Sequence, residues 1–118
     1  MRFLATLCLA AAFCFSAAVS AHTHLLRSDP ADGAEVKTAP TEAVLVFAEP
    51  VTVASAKLES SDGFHAKITP PGATSAEVHL TLPTLAAGRY QLSWRATSAD
   101  GHVMAGGISF TVSGALQH

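Results

Sequence analysis

The sequence predicts a single all-β domain, a Greek-key β-sandwich of about seven strands of the immunoglobulin-like (cupredoxin-like) kind. Apolar and polar residues alternate along several short segments, turn residues separate those segments, and no capped amphipathic helix is recognisable. Each alternating strand has one apolar face that a second sheet must cover, which favours two packed sheets. A closed β-barrel is the alternative architecture.

The predicted strands follow one another from residue 25 to residue 112. The first half of the chain supplies strands at residues 25–28, 43–48, 54–60 and 64–68, with turn-rich segments at 29–33, 61–63 and 70–72. Within 54–60, the alternation places Ala54, Ala56 and Leu58 on one face. The second half shows the clearest alternation, and its apolar positions are Val78, Leu80, Leu82, Tyr90, Leu92, Trp94, Ala96, Ile108, Phe110 and Val112. His79 lies on the polar face of its strand, and residues 113–118 are expected to form a tail.

Residues 1–21 have the features of a secretory signal peptide. Arg2 precedes an apolar run from residue 3 to about residue 18, and the small residues Val19 and Ala21 occupy positions −3 and −1. We expect cleavage after Ala21, export from the cytoplasm, and one mature domain of residues 22–118 with no further membrane span. An uncleaved membrane anchor is the alternative.

The composition limits the classes of function. The 118-residue chain has a net charge of −2, which becomes −3 when Arg2 is removed with the leader. A mildly acidic domain with dispersed lysines argues against a nucleic-acid partner. Both cysteines, Cys8 and Cys14, lie in the leader. A metal site in the mature domain must therefore use nitrogen, oxygen or thioether ligands.

Cleavage after Ala21 would make His22 the N-terminal residue, which offers a metal both its α-amine and its imidazole. In an immunoglobulin-like topology, the first strand starts at the end that carries the loop between the last two strands, here residues 97–106. Glu49 is expected at that same end, at the start of the loop that follows the second strand. The predicted fold therefore brings His22 and Glu49 to the rim that holds the loop 97–106.

That loop contains Asp100 and His102, separated by Gly101. Side chains two residues apart in an extended segment point to the same side, and glycine between them permits an unusual turn. We expect His22, Asp100 and His102 to form a metal site, with Glu49 as a further ligand or hydrogen-bond acceptor. The alternative interpretation of Asp-Gly-His is an ordinary turn.

The donor set favours Cu(II), because an amine, two imidazoles and a carboxylate suit tetragonal coordination and Cu(II) heads the divalent affinity order. Zinc accepts the same donors and is the competing metal. His24 offers an alternative mode, in which the free N-terminus, two backbone amides and the His24 imidazole bind Cu(II) without the distant loop.

Through these residues the sequence resembles the CopC family of periplasmic copper-binding proteins, over nearly the whole mature chain. The matching positions are His22, 25–30, Ala31-Asp32-Gly33, Phe47-Ala48-Glu49, 85–90, Trp94-Arg95-Ala96, Ser98, Asp100-Gly101-His102 and 107–112.

The resemblance implies a Greek-key β-barrel or sandwich with one Cu(II) ion at its edge, held by His22, Asp100 and His102 and with Glu49 nearby. It also implies a role in binding, carrying or buffering periplasmic copper, beside a CopD-like inner-membrane protein. Some members hold Cu(I) on a methionine-rich segment, but residues 58–74 contain no methionine. We therefore expect one Cu(II) ion per mature chain and no Cu(I) site.

Two other functions are open at this point. A copper oxidase could use the same N-terminal histidine, but it needs an open coordination position that Asp100 would obstruct. A sandwich module for protein contact would need no metal. We expect a binding protein and no enzymatic activity.

Overall fold

The computed structural model describes residues 24–114, which form seven β-strands and, in that range, no helix. The strands are β1 (Leu25–Asp29), β2 (Ala34–Val36), β3 (Glu42–Ser60), β4 (His65–Ile68), β5 (Ser75–Thr81), β6 (Gly88–Ser98) and β7 (Val103–Val112). The predicted all-β fold is confirmed. Nothing in this described range is a helix long and apolar enough to cross a membrane.

Strand β3 belongs to both halves of one curled sheet. Its first part pairs antiparallel with β1 on one side and with β5 on the other. Its second part pairs with β4 and β6, and the sheet continues through β7 to β2, which runs parallel to β7. We call these halves the first sheet half (β1-β3-β5) and the second sheet half (β4-β3-β6-β7-β2).

The prediction of two separate strands with Glu49 in a loop between them is wrong, because β3 is continuous from Glu42 to Ser60. The backbone stays extended through Glu49 and Pro50, and both residues are exposed. The pairing of β3 with β5 shifts register between Val46 and Val51. Because proline has no N–H to donate, it is tolerated where ladder bonding is interrupted. The chain therefore changes partners at Pro50 without ending the strand.

A second irregularity in β3 corrects the face assigned to Ala54. The register with β6 shifts between Val53 and Ser55, so one extra residue is accommodated there and the alternation is reset. Val53 and Ala56 are buried while Ala54 is exposed. Only Ala56 and Leu58 of the predicted apolar face lie in the core.

The core forms between the two sheet halves from the alternating positions predicted for β5, β6 and β7, all of which are buried. Phe47 packs edge-on against Trp94 at 6.2 Å between ring centroids, and Tyr90 stacks on Phe110 at 5.6 Å. The Tyr90 hydroxyl donates a hydrogen bond of 2.7 Å to the carbonyl of Ala86, four residues upstream. This arrangement resembles the tyrosine corner of Greek-key sandwiches.

Strand β2 was not predicted. It has three residues, and it pairs in register with Phe110 to Val112 at the edge of the second sheet half. Its hydrogen bonding is supported by Asp32, whose carboxylate accepts the backbone N–H of Ser109 at 2.8 Å. The turn residues at 29–33 thus lead directly into an edge strand.

Candidate metal centre

The β6–β7 hairpin carries the two side chains that the sequence analysis placed at its centre. Strand β6 ends at Ser98 and β7 begins at Val103, so the connection is shorter than the predicted loop 97–106. The backbone N–H of Ser98 donates to the carbonyl of His102 at 2.9 Å, and that of Gly101 donates to the carbonyl of Ser98 at 2.9 Å. Gly101 has a φ of 91°, a left-handed conformation that disfavours other residues.

Asp100 and His102 are in contact across this turn. The distance from Asp100 Oδ2 to His102 Nδ1 is 3.0 Å, and the backbone N–H of His102 donates to Asp100 Oδ1 at 3.2 Å. Both side chains are more than half exposed, at 56% for Asp100 and 65% for His102. A carboxylate oxygen and an imidazole are therefore presented together to solvent.

Ser98 orients the Asp100 carboxylate through a hydrogen bond, a role that was not predicted from the sequence. It is a buried polar residue, with 8% of its surface exposed, and its hydroxyl donates to Asp100 Oδ1. This bond, followed by the side-chain and backbone bonds from His102, lowers the pKa of Asp100 to about 2. The Ser-x-Asp spacing is typical of side-chain-stabilised turns and could have indicated this bond.

His24 and Glu49 approach the same end of the curled sheet through their backbones. The backbone N–H of Ala48 donates to the carbonyl of His24 at 3.0 Å, which places His24 beside the register shift of β3. Beyond that register shift, Val51 pairs with Ser98. The start of β1, the register shift of β3 and the β6–β7 hairpin therefore share one rim, and Glu49 lies there in a strand rather than in the predicted loop.

The described residues supply only part of the predicted ligand set. Within 24–114, no three side chains of histidine, cysteine, aspartate or glutamate are grouped so as to hold a metal ion. His22 lies outside the described residues. Among the described residues, Asp100 and His102 thus offer one carboxylate oxygen and one imidazole in contact with each other.

His79 lies on the polar face of β5, as predicted. Its Nδ1 is 2.7 Å from Glu42 Oε2, and its Nε2 is 2.8 Å from Glu77 Oε2. The two carboxylates, Glu77 first and then Glu42, raise the pKa of His79. Since both ring nitrogens are engaged with carboxylates on opposite sides, this trio forms a cross-strand clamp rather than a chelating pocket.

Comparison with known proteins gives a consistent result. Residues 25–113 match the family model described as the CopC domain. Copper resistance protein C of Pseudomonas syringae pv. tomato is 32% identical over 114 residues, which cover 87% of this chain and 90% of that protein. The copper transport protein CutJ of Bacillus subtilis (strain 168) is 29% identical over 98 residues, which cover 78% of this chain and 18% of that much longer protein.

Solved structures show the same likeness. CopC from Methylosinus trichosporium OB3b is 27% identical and superposes with a TM-score of 0.68, covering 82% of this chain and 97% of that one. PcoC, described as a methionine-rich copper resistance protein from Escherichia coli, is 32% identical, with a TM-score of 0.62 and coverage of 79% and 100%.

Proposed function

The chain belongs to the CopC family, and on that premise we propose that it is a periplasmic copper-binding protein that carries or buffers Cu(II). Cleavage after Ala21 exposes His22, whose α-amine and imidazole join Asp100 and His102 around one Cu(II) ion per mature chain. Copper is the cargo in this proposal, and the protein performs no catalysis on it.

The observation that supports this proposal most strongly is the paired Asp100 and His102 at an exposed hairpin. Their contact of 3.0 Å presents an oxygen and a nitrogen donor side by side. Because the pKa of Asp100 is lowered to about 2, its carboxylate is ionised and able to bind a cation in mildly acidic as well as neutral solution. Such a donor set without sulfur favours Cu(II), with zinc as the competing divalent ion.

The proposal also gives the pH dependence of copper binding. The α-amine of His22, with an ordinary pKa of about 8, must lose its proton before it can bind metal. The imidazoles must also be neutral, whereas Asp100 needs no further deprotonation above pH 4 or so. Copper affinity therefore falls as the solution is acidified from about pH 8 to pH 5.

Glu49 and His24 take secondary places in the proposal. Glu49 is exposed at the register shift of β3, one residue from Ala48, whose backbone N–H donates to the His24 carbonyl. A carboxylate at this position supplies an additional ligand or accepts a hydrogen bond from one. His24 supports the competing mode that uses only the N-terminal segment.

We propose that the protein binds Cu(II) and has no Cu(I) site. Cu(I) prefers thioether and thiolate donors. The chain has two methionines, of which Met1 belongs to the leader and Met104 packs against the hydrophobic core. This contrasts with the relative from Escherichia coli that is described as methionine-rich.

We further propose that the bound copper passes to a CopD-like inner-membrane protein. The support is the long relative named as a copper transport protein, of which this chain matches only 18%. In that relative, a domain of this kind is joined to a much larger remainder.

The site is tested by titrating the processed protein with Cu(II) after mass spectrometry has confirmed His22 as the first residue. We expect tight one-to-one binding that weakens at least 100-fold when a glycine precedes His22 or when Asp100→Ala is introduced, because each change removes a ligand. Asp62→Ala is the matched control, since Asp62 occupies an equivalent turn elsewhere and should leave copper affinity unchanged.

Three results would contradict the proposal. If the processed protein does not bind Cu(II) tightly, the protein is not a copper-binding protein. Loss on glycine extension with no effect of Asp100→Ala would assign the copper to His22, Thr23 and His24 instead. Turnover of polysaccharide with copper and a reductant would show an oxidase.

A further inference from the structure

The outer face of the second sheet half carries a groove lined by three cations. The groove has a volume of about 560 Å³ and crosses β4, β3, β6 and β7. Its charged lining residues are Lys57, Lys67 and Arg95, and its small ones are Ser55, Ser93, Ala105 and Gly106. The remaining lining is apolar: Ala54, Ala56, Ile68, Pro70 and Trp94. We call this surface the cationic groove.

The register of the strands forces like charges together in the cationic groove. Lys57 and Lys67 are directly opposite each other on β3 and β4. Both are exposed, and like charges at directly opposed positions of an antiparallel pair destabilise the pair. Among residues 24–114, the one carboxylate within ion-pair distance of either lysine is that of Glu59, which lies 3.7 Å from Lys57 Nζ on a solvent-exposed surface. Such an exposed pair contributes little, so most of the repulsion remains.

Arg95 and the hydroxyls of Ser55 and Ser93 add hydrogen-bond donors to the cationic groove. Ser93 pairs with Lys57 across β3 and β6, and Arg95 follows two residues later on the same face of β6. The guanidinium provides planar donors that match a carboxylate, and serine hydroxyls add further donors. The cationic groove therefore offers donors for carboxylates beside a largely apolar lining, which suits an acidic segment that also carries apolar side chains.

From these observations we propose that the cationic groove docks an extended, acidic segment of a partner protein. Carboxylates placed between Lys57, Lys67 and Arg95 relieve the repulsion of the two lysines and add charge-assisted hydrogen bonds. The small lining residues Ser55, Ser93, Ala105 and Gly106 leave room for an extended backbone to lie close to the sheet. Because the whole chain has a net charge of −2, an anionic bilayer or a long polyanion would also meet the acidic remainder of the surface. This proposal is independent of copper binding.

The test measures binding of a fluorescein-labelled octapeptide of glutamate to the processed protein by fluorescence anisotropy. We expect saturable binding that weakens with added salt, is absent for an octapeptide of glutamine, and falls at least tenfold in Lys57→Glu/Lys67→Glu. The matched control is Arg27→Glu/Lys37→Glu, which changes the net charge equally at exposed positions outside the groove and should alter affinity less than threefold.

A second measurement tests the repulsion without any ligand. Lys67→Gln should raise the midpoint of thermal unfolding by roughly 1–5 °C, because it removes the opposed like charge. No binding of the glutamate peptide, equal loss in both double variants, or a lower unfolding midpoint for Lys67→Gln would overturn the proposal. So would groove-dependent binding to phosphatidylglycerol vesicles without peptide binding, which would make this face a membrane contact.

Discussion

Ser98 and Ser60 each begin a hairpin turn with the same hydrogen-bonding pattern. In both turns the serine hydroxyl donates to the aspartate two residues later, Asp100 or Asp62. The same aspartate oxygen then accepts a backbone N–H from the fifth residue, at 3.2 Å from His102 or 3.4 Å from Phe64. The turn is therefore a recurring structural unit, and the proposed metal site requires in addition that the fifth residue is a histidine, as it is at His102.

The two turns also have the same backbone and electrostatic features. The intervening glycines, Gly101 and Gly63, have φ angles of 91° and 103°. The pKa of Asp62 is lowered by the Ser60 hydroxyl and the Phe64 amide, much as that of Asp100 is lowered at the other hairpin. Because only the 98–102 turn places an imidazole beside the carboxylate, the 60–64 turn is the natural control for it.

Ser98→Ala should weaken Cu(II) binding by about 10- to 100-fold, because loss of a hydrogen bond that orients a metal ligand has effects of that size. In the copper-free variant, the pKa of Asp100 should rise from about 2 towards its ordinary value, which carbon NMR of the carboxyl group measures. Ser60→Ala should leave copper affinity unchanged. An unaltered affinity in a folded Ser98→Ala protein would show that the hydroxyl has no positioning role.

At the scale of elements, the β6–β7 pair depends on a glycine opposite Trp94. A Cβ atom at Gly106 would lie 2.8 Å from Trp94 Cζ2, closer than real Cβ contacts. The Trp94 ring is 5% exposed and packed against Phe47, so it has little room to withdraw. Gly106 thus determines where the largest ring of the core can lie.

Gly106→Ala should destabilise the fold by about 1–3 kcal/mol, the usual cost of overpacking a core. Urea unfolding followed by tryptophan fluorescence measures the change. Adding Trp94→Phe to Gly106→Ala should recover part of the loss, because the smaller ring leaves space for the methyl group. Gly106→Ala with wild-type stability, or no recovery in the double variant, would contradict this account.

The same elements show what sequence patterns can and cannot predict. Strict alternation predicted the buried faces of β5, β6 and β7 because those strands contain no irregularity. In strand β3 the alternation gave two wrong predictions. The extra residue at Ala54 reverses the order of buried and exposed positions, and Pro50 resembles the end of a strand. Strand β2 has only three residues, which is too short for a periodic pattern to appear.

The contact between Asp100 and His102 could be anticipated from the sequence, but the hydrogen bond that orients Asp100 could not. Asp100 and His102 stood out because Asp-Gly-His combines a turn with two donors, and the assumed topology brought their hairpin to the rim shared with β1. The Ser98 hydrogen bond depends on burial at the end of β6, which alternation alone did not assign a function. The place of His22 depends on a segment that the described residues do not include.

For the whole molecule, acid acts in opposite directions on the proposed copper site and on the first sheet half. Acid protonates the proposed amine and imidazole ligands and so favours copper release. Between β3 and β5, protonation of His79 instead strengthens its contacts with Glu42 and Glu77. We therefore expect mild acid to release copper and, at the same time, to strengthen the attachment of the edge strand β5 to β3 through protonated His79.

His79→Gln tests this clamp through the pH dependence of stability. The pKa of His79 is raised above 6.5 in the folded protein, chiefly by Glu77 and then by Glu42. A group with a raised folded pKa contributes stability that is fully present below its unfolded pKa and is lost as pH rises through the folded value. The urea midpoint of His79→Gln should therefore lie further below that of the wild type at pH 5.5 than at pH 8.5. His65→Gln, an exposed change on β4, is the control and should show no such widening. An equal difference in urea midpoint at both pH values would mean that His79 contributes through packing alone. Acid would then weaken copper binding without strengthening the fold.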